Sequence, residues 1–234
     1  MQAGNVDTDL RVRCAENGGF KVEKRSWREW IARMVILCVG LTIAHLGVTL
    51  FMLTSLGADP FNVFIQGLSR FTPFSHGITH MCVCFLIILI LLVVDRSYIK
   101  AGTLVCMALG GPIIDLFTLL LGGLVNGETY LPVRIIVVTA ACLILAFGMT
   151  IVIQSDAGTG PNDLVAVVIS DKLHRRFGIV RVLVDASFVL LGVVLGGVFG
   201  IGTLICVFVV GTAAGYFMPV SRQLVELILK RAGV

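Results

Sequence analysis

Charge is what this chain has least of. Only 14% of its 234 residues are Asp, Glu, Lys or Arg, against about 25% in a soluble domain, and its mean hydropathy is +1.01. That shortage excludes an ordinary soluble globule. With 57% of residues hydrophobic, the chain reads as a polytopic protein whose solvent is the lipid bilayer. The net charge of +4 is no nucleic-acid signature, because the basic residues sit between apolar runs rather than in one stripe. Catalytic motifs are missing too: there is no HExxH, GxSxG, CxxC or P-loop, and the four His residues show no ligand spacing. No enzyme activity, cofactor or metal site is expected. The seven Cys lie far apart and mostly in apolar segments. Cys82 and Cys84 point in different directions on a helix, so they read as small packing residues rather than a disulfide or metal framework. The first thirty residues lack the apolar core of a secretory signal and read as a cytoplasmic tail, 1–30.

Against that sparse background stand six long apolar segments, near 34–55, 78–94, 101–125, 132–154, 179–199 and 202–220. Most suffice for a hydrocarbon core of about 30 Å at about 1.5 Å per residue. Trp27 and Trp30, beside Arg28 and Arg33, suit the headgroup level before the first span. At the other end, residues 221–234 carry Leu224, Leu227 and Ile228 at helical spacing opposite Gln223, Glu226 and Lys230, which predicts an interfacial helix on the membrane surface.

The chain also repeats itself. A shift of 101 places Gly47 on Gly148, Thr49 on Thr150, Gly57 on Gly158, Pro60 on Pro161 and Gly77 on Gly178; a shift of 100 places the "GTL" at 102–104 on that at 202–204 and Gly111 on Gly211. Matches through Gly, Pro and Thr in order are not what low-complexity Leu and Val produce. The reading is an all-α membrane protein of two halves, 31–125 and 132–220, each with three transmembrane helices and one Gly/Pro break.

Each break follows the first long span of its half, as "GADPFNVF" from Gly57 and "GTGPNDLV" from Gly158. Pro60 and Pro161 suit the first position of a helix, where the missing N–H costs nothing. Asp59 is placed to cap the first, and Gly160 stands in its place in the second, with Asp163 in the first turn. The roughly twelve helical residues that follow reach about 18 Å, too little to cross. They predict a short re-entrant half-helix that enters the membrane and returns to the same side, in preference to a surface helix after a turn.

With six spans and both half-helices returning, the termini are cytoplasmic and only Arg70 and Arg134 among 18 Lys and Arg face outward. Eight crossings leave two exceptions as well, so charge ties and segment length favours six. Three spans per half make the halves inverted.

The pairing of "LGADPFNV" with "AGTGPNDLV", each followed by a Gly-led span and a "GTL" span start, resembles the YczE/YyaS/YitT group of bacterial integral membrane proteins over residues 34–220. The resemblance implies a multi-pass protein of the bacterial cytoplasmic (inner) membrane and supplies no catalytic residues.

Inverted halves with broken helices suit a secondary transporter or channel, its site near the midplane where half-helix N-termini point at the solute. On that reading Asp59, Pro60, Asn62, Gly158, Gly160, Pro161, Asn162 and Asp163 line the site, and the solute is small and polar, anionic or zwitterionic. Carboxylates at those helix starts compete with an anion and fit a cation or proton instead. Intramembrane polar groups are costly, so His45, Asp115 and Asp185 are candidates for proton coupling, with His45 able to partner Asp115. Each is equally explained by a hydrogen bond between helices. Gly192, Gly196 and Gly200, and Gly211 and Gly215, recur every four residues and suit close helix packing inside one subunit or in a homodimer. The rival to a transporter is a substrate-capture or interaction subunit of a larger complex, which a stably co-purifying partner would reveal.

Overall fold

A computed structural model describes residues 26–74, 76–123 and 127–233. Most of the expected tail, 1–30, and the boundary of the first half near 125 therefore lie outside the described residues. All the regular structure described is helical. Helix α1 covers Trp27–Leu53, α2 Pro60–Ser69, α3 His76–Val94, α4 Ala101–Leu121, α5 Leu131–Gln154, α6 Pro161–Leu173, α7 Phe177–Val194 and α8 Ile201–Arg231, with one 3-10 turn at Arg96–Tyr98. Six of them (α1, α3, α4, α5, α7 and α8) are long and apolar enough to cross a membrane. The other two, α2 with 10 residues and α6 with 13, reach only about 15–20 Å.

The centre of the molecule is the pair α1 and α5, which pack antiparallel. Near the start of α1, Arg33 donates through Nη1 to the Ser155 carbonyl just past the end of α5, at 3.1 Å. Near the start of α5, Arg134 donates through Nε to the Thr54 carbonyl past the end of α1, at 2.7 Å. The two helices come close because glycine stands at the crossing. A Cβ at Gly47 would lie 2.5 Å from the Leu145 backbone nitrogen, and one at Gly148 would lie 2.7 Å from the Gly40 carbonyl oxygen. In a membrane, where lipid is as apolar as the side chains, such close backbone approach supplies the van der Waals contact that holds helices together. Phe51, Val138, Ala141, Cys142 and Met149 form the main buried cluster with Cys206, Val210 and Ala214 of α8. A buried hydrogen bond of 2.7 Å joins the Thr150 and Ser221 hydroxyls.

Helix α8 departs from the sequence reading. The expected interfacial helix at 221–234 is no separate element. Instead α8 continues through Pro219 for 31 residues, about 46 Å at 1.5 Å per residue. The reason is a buried stripe at Ser221, Val225 and Leu229, which carries on the packing face of α8. Val225 and Leu229 close against Ile36 and Ile151. The glycine series also differs. Helix α7 ends at Val194, so only Gly192 lies on it. There it meets the α2 backbone at Val63 and Phe64, while Gly196 sits in the connection with φ +87° and Gly200 caps α8.

The remaining helices surround this pair unequally. Helix α7 packs on α2, α6 and α8, and α8 on α5 as well, whereas α3 packs mainly on the short helices α2 and α6 and the connecting 3-10 turn, and α4 packs on α1.

Candidate functional site

The two breaks are built alike. Ser55 and Asp156 take left-handed backbone with φ of 50° and 55°, and Gly57 and Gly158 follow with φ of +141° and +147°, a region that side chains rarely adopt. Both glycines are also needed for space. A Cβ on Gly57 would lie 2.6 Å from Thr203 Oγ1, and one on Gly158 would strike the Thr103 backbone nitrogen.

Each break is clasped by the start of a distant span. The Leu56 carbonyl accepts from Gly202 N at 2.9 Å, and the Ala157 carbonyl accepts from Gly102 N at 2.9 Å. Thr203 Oγ1 donates to the Ala58 carbonyl at 2.6 Å, and Thr103 Oγ1 accepts from Thr159 N at 3.4 Å. The "GTL" starts thus hold the breaks, each reaching across from the other half of the chain. Lys100 adds an ion pair to Asp156 beside the second break.

Pro60 and Pro161 both stand at the first helical position. Asp59 caps α2: its Oδ1 accepts from Asn62 N at 3.2 Å and its Oδ2 from Asn62 Nδ2 at 2.5 Å. Gly160 precedes α6 with no side chain to cap it, and Asn162 Nδ2 donates to Asp163 Oδ1 at 3.1 Å.

A residue the sequence reading did not single out completes the group. Arg181 lies one turn inside α7 and only 8% exposed. Its Nη1 donates to Asp163 Oδ1 at 2.6 Å, and its Nε donates to Asp185 Oδ2 at 2.9 Å. Helix α7 begins at Phe177, four residues before Arg181. The signal available in sequence was the i, i+4 spacing of Arg181 and Asp185, which puts both on one helix face.

Asp185 is 2% exposed, and α7, the helix that carries it, packs on both α2 and α6. The starts of the two short helices thus converge on one place. Phe61 closes one side, edge-on to His80 and to Phe188 with ring centres 5.3 Å apart in each case. The group holds three carboxylates against one guanidinium. Among the described residues, no three of His, Cys, Asp and Glu gather as metal ligands would.

Of the other candidates, only Asp185 joins this place. His45 faces the Leu41 carbonyl of its own helix through Nδ1 at 2.8 Å, and its Nε2 lies 2.9 Å from where a Cβ on Gly110 would be. Asp115 stands exposed on the outer face of α4. No His45–Asp115 pair forms among the described residues, because α4 turns Gly110 rather than Asp115 toward α1.

Six membrane-crossing helices around two short broken ones define an integral, multi-pass membrane protein in contact with the bilayer. Residues 31–219 match the family of unknown function DUF6198, and the chain belongs to that family. An uncharacterized protein of Haemophilus influenzae is 27% identical over 198 residues, covering 85% of this chain and 88% of that protein. The uncharacterized membrane protein YczE of Bacillus subtilis is 25% identical over 205 residues, 88% of this chain and 91% of its own. The uncharacterized protein YyaS of the same bacterium is 25% identical over 185 residues, 79% of this chain and 92% of its own. The resemblance to YczE and YyaS read from the two breaks is therefore carried by most of the chain. No solved structure matches.

Proposed function

We propose that this protein is a secondary transporter for a small cationic or zwitterionic solute, bound between the starts of α2 and α6. The observation that carries the reading is that the starts of α2 and α6, with Asp59 and Asp163 104 positions apart (163 − 59), both belong to helices packed on α7, where Phe61 meets Phe188 and Arg181 binds Asp163 and Asp185. Two interrupted helices meeting at one polar place inside an apolar bundle is the arrangement secondary transporters use. The sign of the solute follows from the occupants. The N-terminus of α2 is already filled by Asp59, and the first turn of α6 carries Asp163, so an anion approaching either helix start meets a carboxylate. With one guanidinium against three carboxylates, a positive group or a proton is the better guest.

The same reading makes the halves inverted repeats and the short helices re-entrant. Residues 101 apart serve the same role in reverse, as Arg33 and Arg134 do at the two ends of the α1–α5 pair. Antiparallel α1 and α5 fit six crossings. With eight crossings α1 and α5 would pass through the bilayer in the same direction. The protein then sits in the cytoplasmic membrane with both termini inside. A single Cys at position 100 in a Cys-free variant is expected to be protected from impermeant thiol reagents outside intact cells, and one at position 128 to be labelled. Labelling at 100 overturns the orientation.

Uptake by the purified chain in proteoliposomes, driven by a proton or sodium gradient and assayed over small amines and amino acids, tests the function. Asp59→Ala and Asp163→Ala are each expected to lower uptake about tenfold or more, since each removes a charge-assisted contact. The double variant should lose less than the product of the two, because the residues share a site. Additive stability losses with normal uptake would reduce Asp59 to a helix cap. A chain silent alone and active only with a co-purifying partner would make it a subunit instead.

A further inference from the structure

Helices α7 and α8 meet through glycine. A Cβ on Gly178 would lie 2.6 Å from the Gly211 carbonyl oxygen and 3.1 Å from the Gly215 Cα. The residues that match these by shift are Gly77 on α3 (178 − 101) and Gly111 on α4 (211 − 100). Both face open space, with no described atom within 4 Å of an added Cβ. Helices α3 and α4 barely touch, whereas α7 and α8 pack on each other around Gly178 and Gly211. The same imbalance recurs where these helices meet the short ones. Helix α2 approaches α7 with Gly67 against Gly192. At the matching place α6 approaches α3 with Val168 and Leu91 in one buried cluster, and the contact is less extensive than that of α2 with α7. One half of the molecule is closed and the other is open at the same glycines.

We infer that α3 and α4 form a gate that closes at Gly77 and Gly111 as α7 and α8 are closed at Gly178 and Gly211. The inference rests on the transporter reading and supplies its second state. Glycine leaves no side chain to pack, so a glycine facing nothing contributes nothing to the structure seen and costs backbone entropy. A pair of them, placed as the seam glycines of the other half are placed, fits a contact made in another conformation. In an inverted repeat two halves caught in different conformations are the two ends of one cycle. In the proposed orientation Gly77 lies at the outer end of α3 and Gly178 at the inner end of α7, so the present state is open outward.

The test uses Gly77→Cys with Gly111→Cys in a chain whose native cysteines are replaced. Both positions have room, so the variant folds as the parent does. Oxidation with copper phenanthroline in membranes should yield an intrachain disulfide, which requires the two Cα atoms within about 7 Å. No intrachain bond between pH 5 and 8, with or without sodium and the amines of the uptake assay, overturns the gate. A disulfide between two chains in the single Gly111→Cys variant also overturns it, because a second copy then fills the gap. Gly111→Trp, which fills the seam, should abolish uptake while melting within a few degrees of the parent; unchanged uptake counts against the gate. Closure in a chain that moves no solute sinks the transporter reading and leaves the gate. Uptake by a chain that never cross-links does the reverse.

Discussion

Arg181→Gln is expected to cost about 3–5 kcal/mol of stability, more than any other single change in the polar centre. Breaking a buried ion pair by removing one partner leaves charge without compensation, and here two carboxylates, Asp163 and Asp185, lose their shared guanidinium at once. Arg181→Lys should recover only part of the loss, since one ammonium cannot present a planar fork to two carboxylates from one position. The informative variant is the neutral triple, Arg181→Gln with Asp163→Asn and Asp185→Asn. It keeps the volume and much of the hydrogen bonding while removing every charge. Thermal unfolding in detergent should return most of the lost stability to the triple, while solute uptake stays absent. A triple variant as unstable as Arg181→Gln alone would show that the ions matter for shape rather than for charge balance.

The second large effect is expected at the crossing of α1 and α5. Gly47→Val and Gly148→Val each push methyl groups into the partner's backbone, at Leu145 and Ala141 in one case and Ala44 and Gly40 in the other. Overpacking costs about 1–3 kcal/mol where side chains can shift, and backbone shifts less readily, so the upper end applies to both. The same substitution at Gly77 or Gly111 meets open space and should leave the melting temperature within the range of a surface change, about 0.5 kcal/mol. Equal losses at all four glycines would contradict the difference between closed and open seams. Melting curves of the four variants side by side decide it.

Much of this architecture was legible in sequence because the bilayer demands long apolar runs and because Pro and Gly announce where a helix stops. The segment at 34–55 nevertheless misses the first turns of α1, which starts at Trp27. Arg28, Glu29 and Arg33 look like flanking loop in a hydropathy profile, although Arg33 and Glu29 pair along the helix at 2.8 Å. The same blindness hid Arg181. A cation near the end of a span fits the positive-inside pattern so well that the pattern absorbs it. Only its spacing from Asp185 distinguishes a buried pair from a cytoplasmic anchor. Asp59 and Asp163 could be singled out because each adjoins a Pro that begins a helix. The separation of His45 from Asp115 could not be foreseen, because it depends on how α4 is rotated about its own axis, and an apolar helix with polar residues on several faces does not declare that rotation.

The polar centre also carries a record of descent. By the shift of 101, Arg181 answers to His80, Asp185 to Cys84 and Asp163 to Asn62. The positions match while the charges do not. In the second half the three form a buried ion network; in the first, Cys84 Sγ and His80 Nδ1 stand 3.7 Å apart in a far weaker contact. On the transporter reading proposed above, the second half is the fixed anchor that grips the guest and the first half the moving arm. A solute bound as proposed would then meet two unlike walls, be held in one orientation and present the same end to the exit on every cycle.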